Sequence, residues 1–170
     1  MSGARRSEID EVRLIVAAYV AAGADESVQR VVTAVHRLAR RLNQWYDRQL
    51  ADLDITTGEW AVLSELARVE DAAALTPSQL AAAANVAPSS MTHRLDRMVE
   101  RHLISREPDP ANRTRVLVRL TDAGWSLYAS AIRESNVVEA DLIAGLTSEQ
   151  VDELASLLER VIAGLDQADV

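Results

Sequence analysis

Residues 75–124 read LTPSQLAAAANVAPSSMTHRLDRMVERHLISREPDPANRTRVLVRLTDAG, and three signals lie in order along them. TPSQ is a helix start, with Thr76 as N-cap, Pro77 at N1 and Gln79 at N3. In such a capping box the hydroxyl and the amide satisfy backbone donors reciprocally, and proline is favoured at the first helical position. The helix runs to about Ala84 and turns Leu80 and Ala81 inward. A tight connection, NVA, leads into a second helix from Pro88 to about Arg101. There Met91, Leu95, Met98 and Val99 recur at i, i+4, i+7 and i+8, the spacing of one buried stripe. LISRE and RVLVRL, between Leu103 and Leu120, are β-prone runs on either side of PDPANRT, whose Pro, Asp and Asn favour turns. They predict an antiparallel hairpin.

Two helices joined by a short turn are the frame of a helix-turn-helix, and a basic hairpin after it makes a winged helix. Ser89, Ser90, Thr92, His93, Arg94, Arg97 and Arg101 fall largely off the apolar stripe. Arginine suits guanine edges, hydroxyls suit phosphates or bases, and a helix N-terminus suits a phosphate. Periodicity alone equally allows a merely solvated face; the hairpin shifts the balance. Arg113 and Arg115, beside turn formers, make a poor core element but a good minor-groove probe. Asp109, four residues before Arg113, is placed to pair with it. A lone surface ion pair adds little stability, so its value there is orientation. The residues expected at DNA are Thr76, Gln79, Pro88, Ser89, Ser90, Thr92, His93, Arg94, Arg97, Asp109, Arg113 and Arg115.

Outside this stretch the periodicity is helical. Ile9, Val12, Val16 and Tyr19/Val20 mark a first helix closing near Gly23. A second, from about Ser27 to Leu50, carries Val28, Val32, Val35, Leu38, Leu42 and Trp45/Tyr46 at a spacing near 3.5, suited to lengthwise packing on another helix. TTGE opens a third with Thr56 as cap and Glu59 at N3. Thr121 caps a long helix to about Ala144, and TSEQ (Thr147, Gln150) opens the last. That helix sets Val151, Leu154, Leu157/Leu158, Val161/Ile162 and Leu165 on one face. The fold class is mainly α with a small β-hairpin wing, a winged helix-turn-helix carrying long dimerisation helices.

The 170 residues suit one domain, or one domain with an oligomerisation layer. Cysteine is absent, which removes disulfides, thiolate metal sites and thiol nucleophiles. All 18 basic residues are arginine, so Schiff-base and P-loop lysine chemistry is excluded as well. No apolar run is long enough to span a membrane, and the N-terminus lacks signal-peptide character, so a cytoplasmic protein is expected. The net charge of −8 argues against a polyanionic partner, but its distribution does not. Residues 85–120 hold 7 Arg and 4 acids, whereas residues 121–170 hold 2 Arg and 10 acids. Charges beyond about 10 Å are largely screened at physiological salt, so the basic island governs the local field. The acidic C-terminal segment reads as solvated helix faces that also repel stray binding of DNA there.

The quoted stretch resembles the winged-helix core of the MarR family of bacterial transcription regulators, and LTSEQVDELASLLERV resembles that family's last helix. The similarity extends over about residues 27–165. It implies an obligate homodimer with interlocking terminal helices, double-stranded DNA with a pseudo-palindromic site as partner, and a small-molecule effector that weakens DNA binding. The implied function is a sequence-specific repressor released by a small aromatic or organic-acid ligand. It implies no enzyme and no cofactor. The alternative is a ligand-binding dimeric module without DNA affinity. The expected division is residues 1–54 for an extension helix and the first dimerisation helix, 55–120 for the DNA-binding lobe, and 121–170 for the C-terminal dimerisation helices.

The N-terminal helix is similar to that of the branch with urate-responsive and PecS-type members. In urate-responsive regulators a tryptophan on that helix, an aspartate and two arginines form the ligand site. Arg94 and Arg106 match the arginines, but Ala61, after Trp60, stands at the aspartate position, and the extension has Tyr19 and no tryptophan. Two of four elements are missing, which points away from urate. Ala87 and His102 also depart from the family, which favours Ser or Thr and Gly at those cap positions.

Trp45, Tyr46, Trp60, Trp125 and Tyr128 are most simply packing residues. The sharper reading makes Trp45 and Trp60, with Arg40 or Arg41, the aromatic walls and cation of an effector pocket. His36 on the second helix is either a surface residue or part of that lining. With Arg94 and Arg106 these complete the effector candidates: His36, Arg40, Trp45, Trp60, Arg94 and Arg106. The histidines at 36, 93 and 102 have no metal-ligand spacing, so no metal site is expected.

Overall fold

Helix-start chemistry sets the architecture. The computed structural model describes residues 7–69, 74–112 and 114–168. Its elements run α1 (Glu8–Ala21), α2 (Glu26–Asp52), α3 (Thr57–Arg68), α4 (Pro77–Ala83), α5 (Pro88–Glu100), β1 (Ile104–Pro108), β2 (Val116–Leu120), α6 (Asp122–Ile143) and α7 (Ser148–Ala168). This is the order expected from sequence. The chain divides into two units, Met1–Trp60 and Ala61–Val170.

In the first unit α1 packs along α2. Ser7 caps α1 by accepting from the Asp10 amide at 3.2 Å. The start of α2 lies slightly ahead of the expected Ser27: Asp25 is the cap and accepts from the Val28 amide at 2.9 Å. The Ser27 hydroxyl donates to the same oxygen at 2.6 Å. Those bonds, the Ser27 one foremost, hold the Asp25 carboxyl below the usual carboxylate range. Arg37 of α2 donates to both Glu8 and Glu11 of α1, so the two helices are clamped by charge as well as by Val16. The apolar stripe Val28, Val32, Val35 and Leu38 remains exposed.

Among the described residues four helices end on one pattern, in which the residue after the C-cap turns left-handed and two backward hydrogen bonds close the end. At α5, for example, the Leu103 amide donates to the Met98 carbonyl at 2.9 Å and the His102 amide to the Val99 carbonyl at 2.9 Å. The turning residues are Gly23, Asp54, Asn85 and His102. Asn and Asp tolerate this region best among non-glycine residues.

In the second unit the hairpin pairs Ile104 with Leu120, Arg106 with Val118 and Pro108 with Val116. Leu75 adds a bridge to Val118, its amide and carbonyl bonded at 3.1 and 2.8 Å, a third edge that its single apolar letter did not announce. Leu63, Leu80, Met91, Leu95, Met98 and Val118 are wholly buried. Val99, read as part of the stripe, is only half-buried. Among the described residues no helix is long and apolar enough to cross a membrane.

Candidate nucleic-acid interface

The site is built from α4, α5 and the hairpin. At α4 the capping box is complete: the Thr76 amide and hydroxyl donate to Gln79 Oε1 at 2.8 and 2.9 Å, and the Gln79 amide donates back to Thr76 Oγ1 at 3.3 Å. This bonding uses the Thr76 hydroxyl and the Gln79 carbonyl oxygen, and the Gln79 NH2 takes no part in it. Asn85, left-handed at φ 48, then reverses the chain into α5.

Helix α5 differs from its neighbours. Ala87 is its N-cap and supplies no side-chain hydrogen bond, and Pro88 occupies the first turn. Met91, Leu95 and Met98 fill the core behind it. Ser89, Ser90, Thr92, His93 and Arg97 are exposed and Arg94 is half-buried, as the periodicity requires. The Thr92 hydroxyl donates to the Pro88 carbonyl at 3.0 Å, so its oxygen lone pairs, rather than its proton, remain for a partner.

At the wing tip the Asp109 carboxylate accepts from the Ala111 amide at 2.8 Å, and the Asp109 and Asn112 amides close the loop onto the Arg115 and Asp109 carbonyls. Asn112 Oδ1 accepts from the Thr114 amide and hydroxyl. The turn is therefore held by Asx-type bonding to the backbone. Arg115 is exposed there. Arg113, and with it the expected pairing to Asp109, lies outside the described residues.

Two groups of residues position α5 through contacts that sequence reading missed, although Arg106 was named there as an effector candidate and Thr121 as a helix cap. Arg106, on β1, donates through Nη1 to Asp96 Oδ1 at 2.6 Å and through Nη2 to the Thr92 carbonyl at 3.3 Å. Asp96 was hidden because an acid among the arginines of a helix reads as surface. The Thr121 hydroxyl donates to the His102 carbonyl at 2.6 Å and accepts from the Gly124 amide, joining the end of α5 to the start of α6. Gly124 permits this approach, since a Cβ there would stand 2.1 Å from the Leu103 carbonyl oxygen.

The effector candidates divide between the units. His36, Arg40 and Trp45 lie on α2, the first two exposed and Trp45 half-buried edge-on to Tyr46 at 5.3 Å. Trp60 is half-buried in α3, at the end of the first unit, whereas Arg94 and Arg106 belong to the second. Among the described residues no cluster of three His, Asp or Glu side chains is disposed to hold a metal.

A family model described as "MarR family" matches residues 53–113. The multiple antibiotic resistance protein MarR of Escherichia coli is 31% identical over 131 residues, covering 74% of this chain and 89% of MarR. The chain belongs to the MarR family. Its members are transcription regulators and not enzymes. The structure of apo MarR from E. coli superposes with a TM-score of 0.58 over 74% of this chain and 95% of that one. The HTH-type transcriptional regulator PecS of Dickeya dadantii is 28% identical, covering 77% of this chain and 79% of PecS. A variant of Staphylococcus aureus MepR bound to an oligodeoxyribonucleotide shares the fold with a TM-score of 0.62 at 23% identity, over 79% of this chain and 97% of that one. Within the MarR-family frame, α4 and α5 form the helix-turn-helix and β1–β2 the wing.

Proposed function

We propose that this MarR-family regulator is a homodimeric, sequence-specific binder of double-stranded DNA that acts as a repressor in the cytoplasm and is released by a small aromatic or organic-acid ligand. The observation that carries the reading is α5, a helix that buries Met91, Leu95 and Met98 completely while Ser89, Ser90, Thr92 and His93 stand exposed towards an N-terminal end without a side-chain cap and Arg97 stands exposed in its last turn. Open first-turn amides and arginine on one face are what a phosphate and a guanine edge require. Arg94 flanks that face, Thr76, Gln79 and Pro88 lie at the helix starts, and Asp109 shapes a wing on which Arg115 is exposed. Arg115, and from the sequence Arg113, are the residues proposed for the neighbouring minor groove. That a MepR variant of the same fold is bound to an oligodeoxyribonucleotide supports DNA as the partner.

Dimerisation is supported by the exposed apolar residues of α6 and α7, and the division of labour follows residues 1–54, 55–120 and 121–170. The effector reading rests on aromatic and cationic side chains at His36, Arg40, Trp45, Trp60, Arg94 and Arg106. Fluorescence anisotropy with duplexes from the regulator's own upstream region and a scrambled control, at 50 and 200 mM salt, tests the proposal. Selective binding at two protomers per duplex is expected, with half-sites about 10 bp apart. An absence of binding at the lower salt, with small-molecule binding retained, would establish instead a ligand module without DNA affinity.

A further inference from the structure

We infer that Arg106 and Asp96 are positioning residues for DNA recognition, fixing how the reading helix is rolled relative to the wing. The inference rests on the DNA-binding reading above.

Side chains alternate along a strand, so Arg106 shares a face with Ile104, which is buried. Its cross-strand partner is Val118, wholly buried. An arginine thus occupies a register position where the hairpin's pattern calls for an apolar residue. Its side chain is only 28% exposed, and its Nε is buried with no partner among the described residues. A buried, partly satisfied cation is a poor source of stability, and a well-packed apolar residue in its place is often neutral or better. Stability therefore does not account for it.

Geometry does. Arg106 reaches from the wing to two points of α5 one turn apart, the Asp96 carboxylate and the Thr92 carbonyl. At 3.6 residues per turn, Thr92 and Asp96 lie between the core stripe and the outward residues Ser89, His93 and Arg97. The buried stripe of flexible Met91 and Met98 resists separation of the helix from the core but resists roll only weakly. A roll of about 15° swings side chains at a radius of roughly 6 Å by about 1.5 Å, enough to misplace a bidentate contact to a base. The two-point grip from β1 opposes that motion and makes helix and wing one reading head.

Asp96→Asn decides the matter, because charge and positioning predict opposite signs. Removing a carboxylate beside a polyanion strengthens binding if Asp96 acts by charge alone. If it positions α5, Asp96→Asn lowers discrimination between a duplex that the wild type recovers from a randomised library and a scrambled duplex. The expected loss is about tenfold, the scale of one base contact, with the salt slope of non-specific binding unchanged. Arg106→Met is the second variant, expected to melt at or above the wild-type temperature and to lose discrimination to a similar extent. Asp96→Asn binding the recovered duplex as tightly as wild type or tighter, or Arg106→Met retaining full discrimination, overturns the inference. Wild type recovering no duplex at low salt overturns the DNA-binding reading itself, and this inference with it.

Discussion

Two helices of this chain carry equally regular apolar stripes and use them in opposite ways. On α5, Met91, Leu95 and Met98 are wholly buried by their own chain. On α7, Leu154, Leu157, Val161, Ile162 and Leu165 run from 41% to 62% exposed. The period of a stripe says that one face needs covering but not what covers it. For α5 the cover is α4, β1 and the neighbouring core. For α7 the proposed cover is a second copy, since contiguous exposed apolar surface on this scale marks an interaction site.

The sharpest way to break this comparison is to charge the α7 face. Val161→Glu combined with Ile162→Glu removes two large apolar residues from each copy, at about 1.5–3 kcal/mol per buried side chain. Sedimentation equilibrium should show a dimer constant weakened by more than a hundredfold, with the helical content of the winged unit retained. Unchanged association would place the interface elsewhere.

Gly124→Ala strikes the region that is complete within one chain. The added Cβ meets the backbone carbonyl of Leu103, which cannot swing aside as a side-chain tip would. Overpacking of this kind costs about 3 kcal/mol, near the upper end of its usual range. Thermal unfolding should fall by roughly 10 °C or more, and a shift of under 2 °C would show that α6 and the α5–β1 turn separate easily.

Most of the fold was legible because its signals are local. The capping boxes at Thr56, Thr76 and Thr147 each form as the residue types predict. Thr121 caps α6. The hairpin and the inward turn of Leu80 and Ala81 also follow from spacing and turn chemistry. What escaped is non-local. Asp96 and Arg106 are ten residues apart on different elements, Arg37 meets acids 26 and 29 residues upstream, and Leu75 reaches across to Val118. No periodicity encodes such pairings. Of the site, the outward face of α5 was readable, whereas the braces that orient it were not.

Ala87→Ser sharpens the contrast from the other side, by supplying a cap to the helix that lacks one. A serine hydroxyl there can accept from the first-turn amides of α5, a gain of about 1 kcal/mol. The melting temperature should rise by several degrees. No rise would mean that Pro88 already presets the first turn so well that the cap adds nothing.

The smallest expected effect concerns what holds α1 to α2. The winged unit has a core of neutral side chains with the Arg106–Asp96 pair at its edge, whereas in the first unit charge joins one helix to the other and caps α2, in the Arg37 clamp to Glu8 and Glu11 and in the Asp25 cap. Because Asp25 ionises more readily when folded than when unfolded, its contribution is complete above the unfolded carboxyl value of about 3.9 and is lost as the pH falls through its lower folded value. Asn at this position still caps the helix but carries no titratable proton. The stability advantage of wild type over Asp25→Asn should therefore be present at pH 5 and shrink towards pH 3. Thermal melts read at Trp45, within the first unit, should register that convergence. Curves that stay parallel between pH 5 and 3 would show that Asp25 acts through cap geometry alone, and that charge matters no more to this unit than to the winged one.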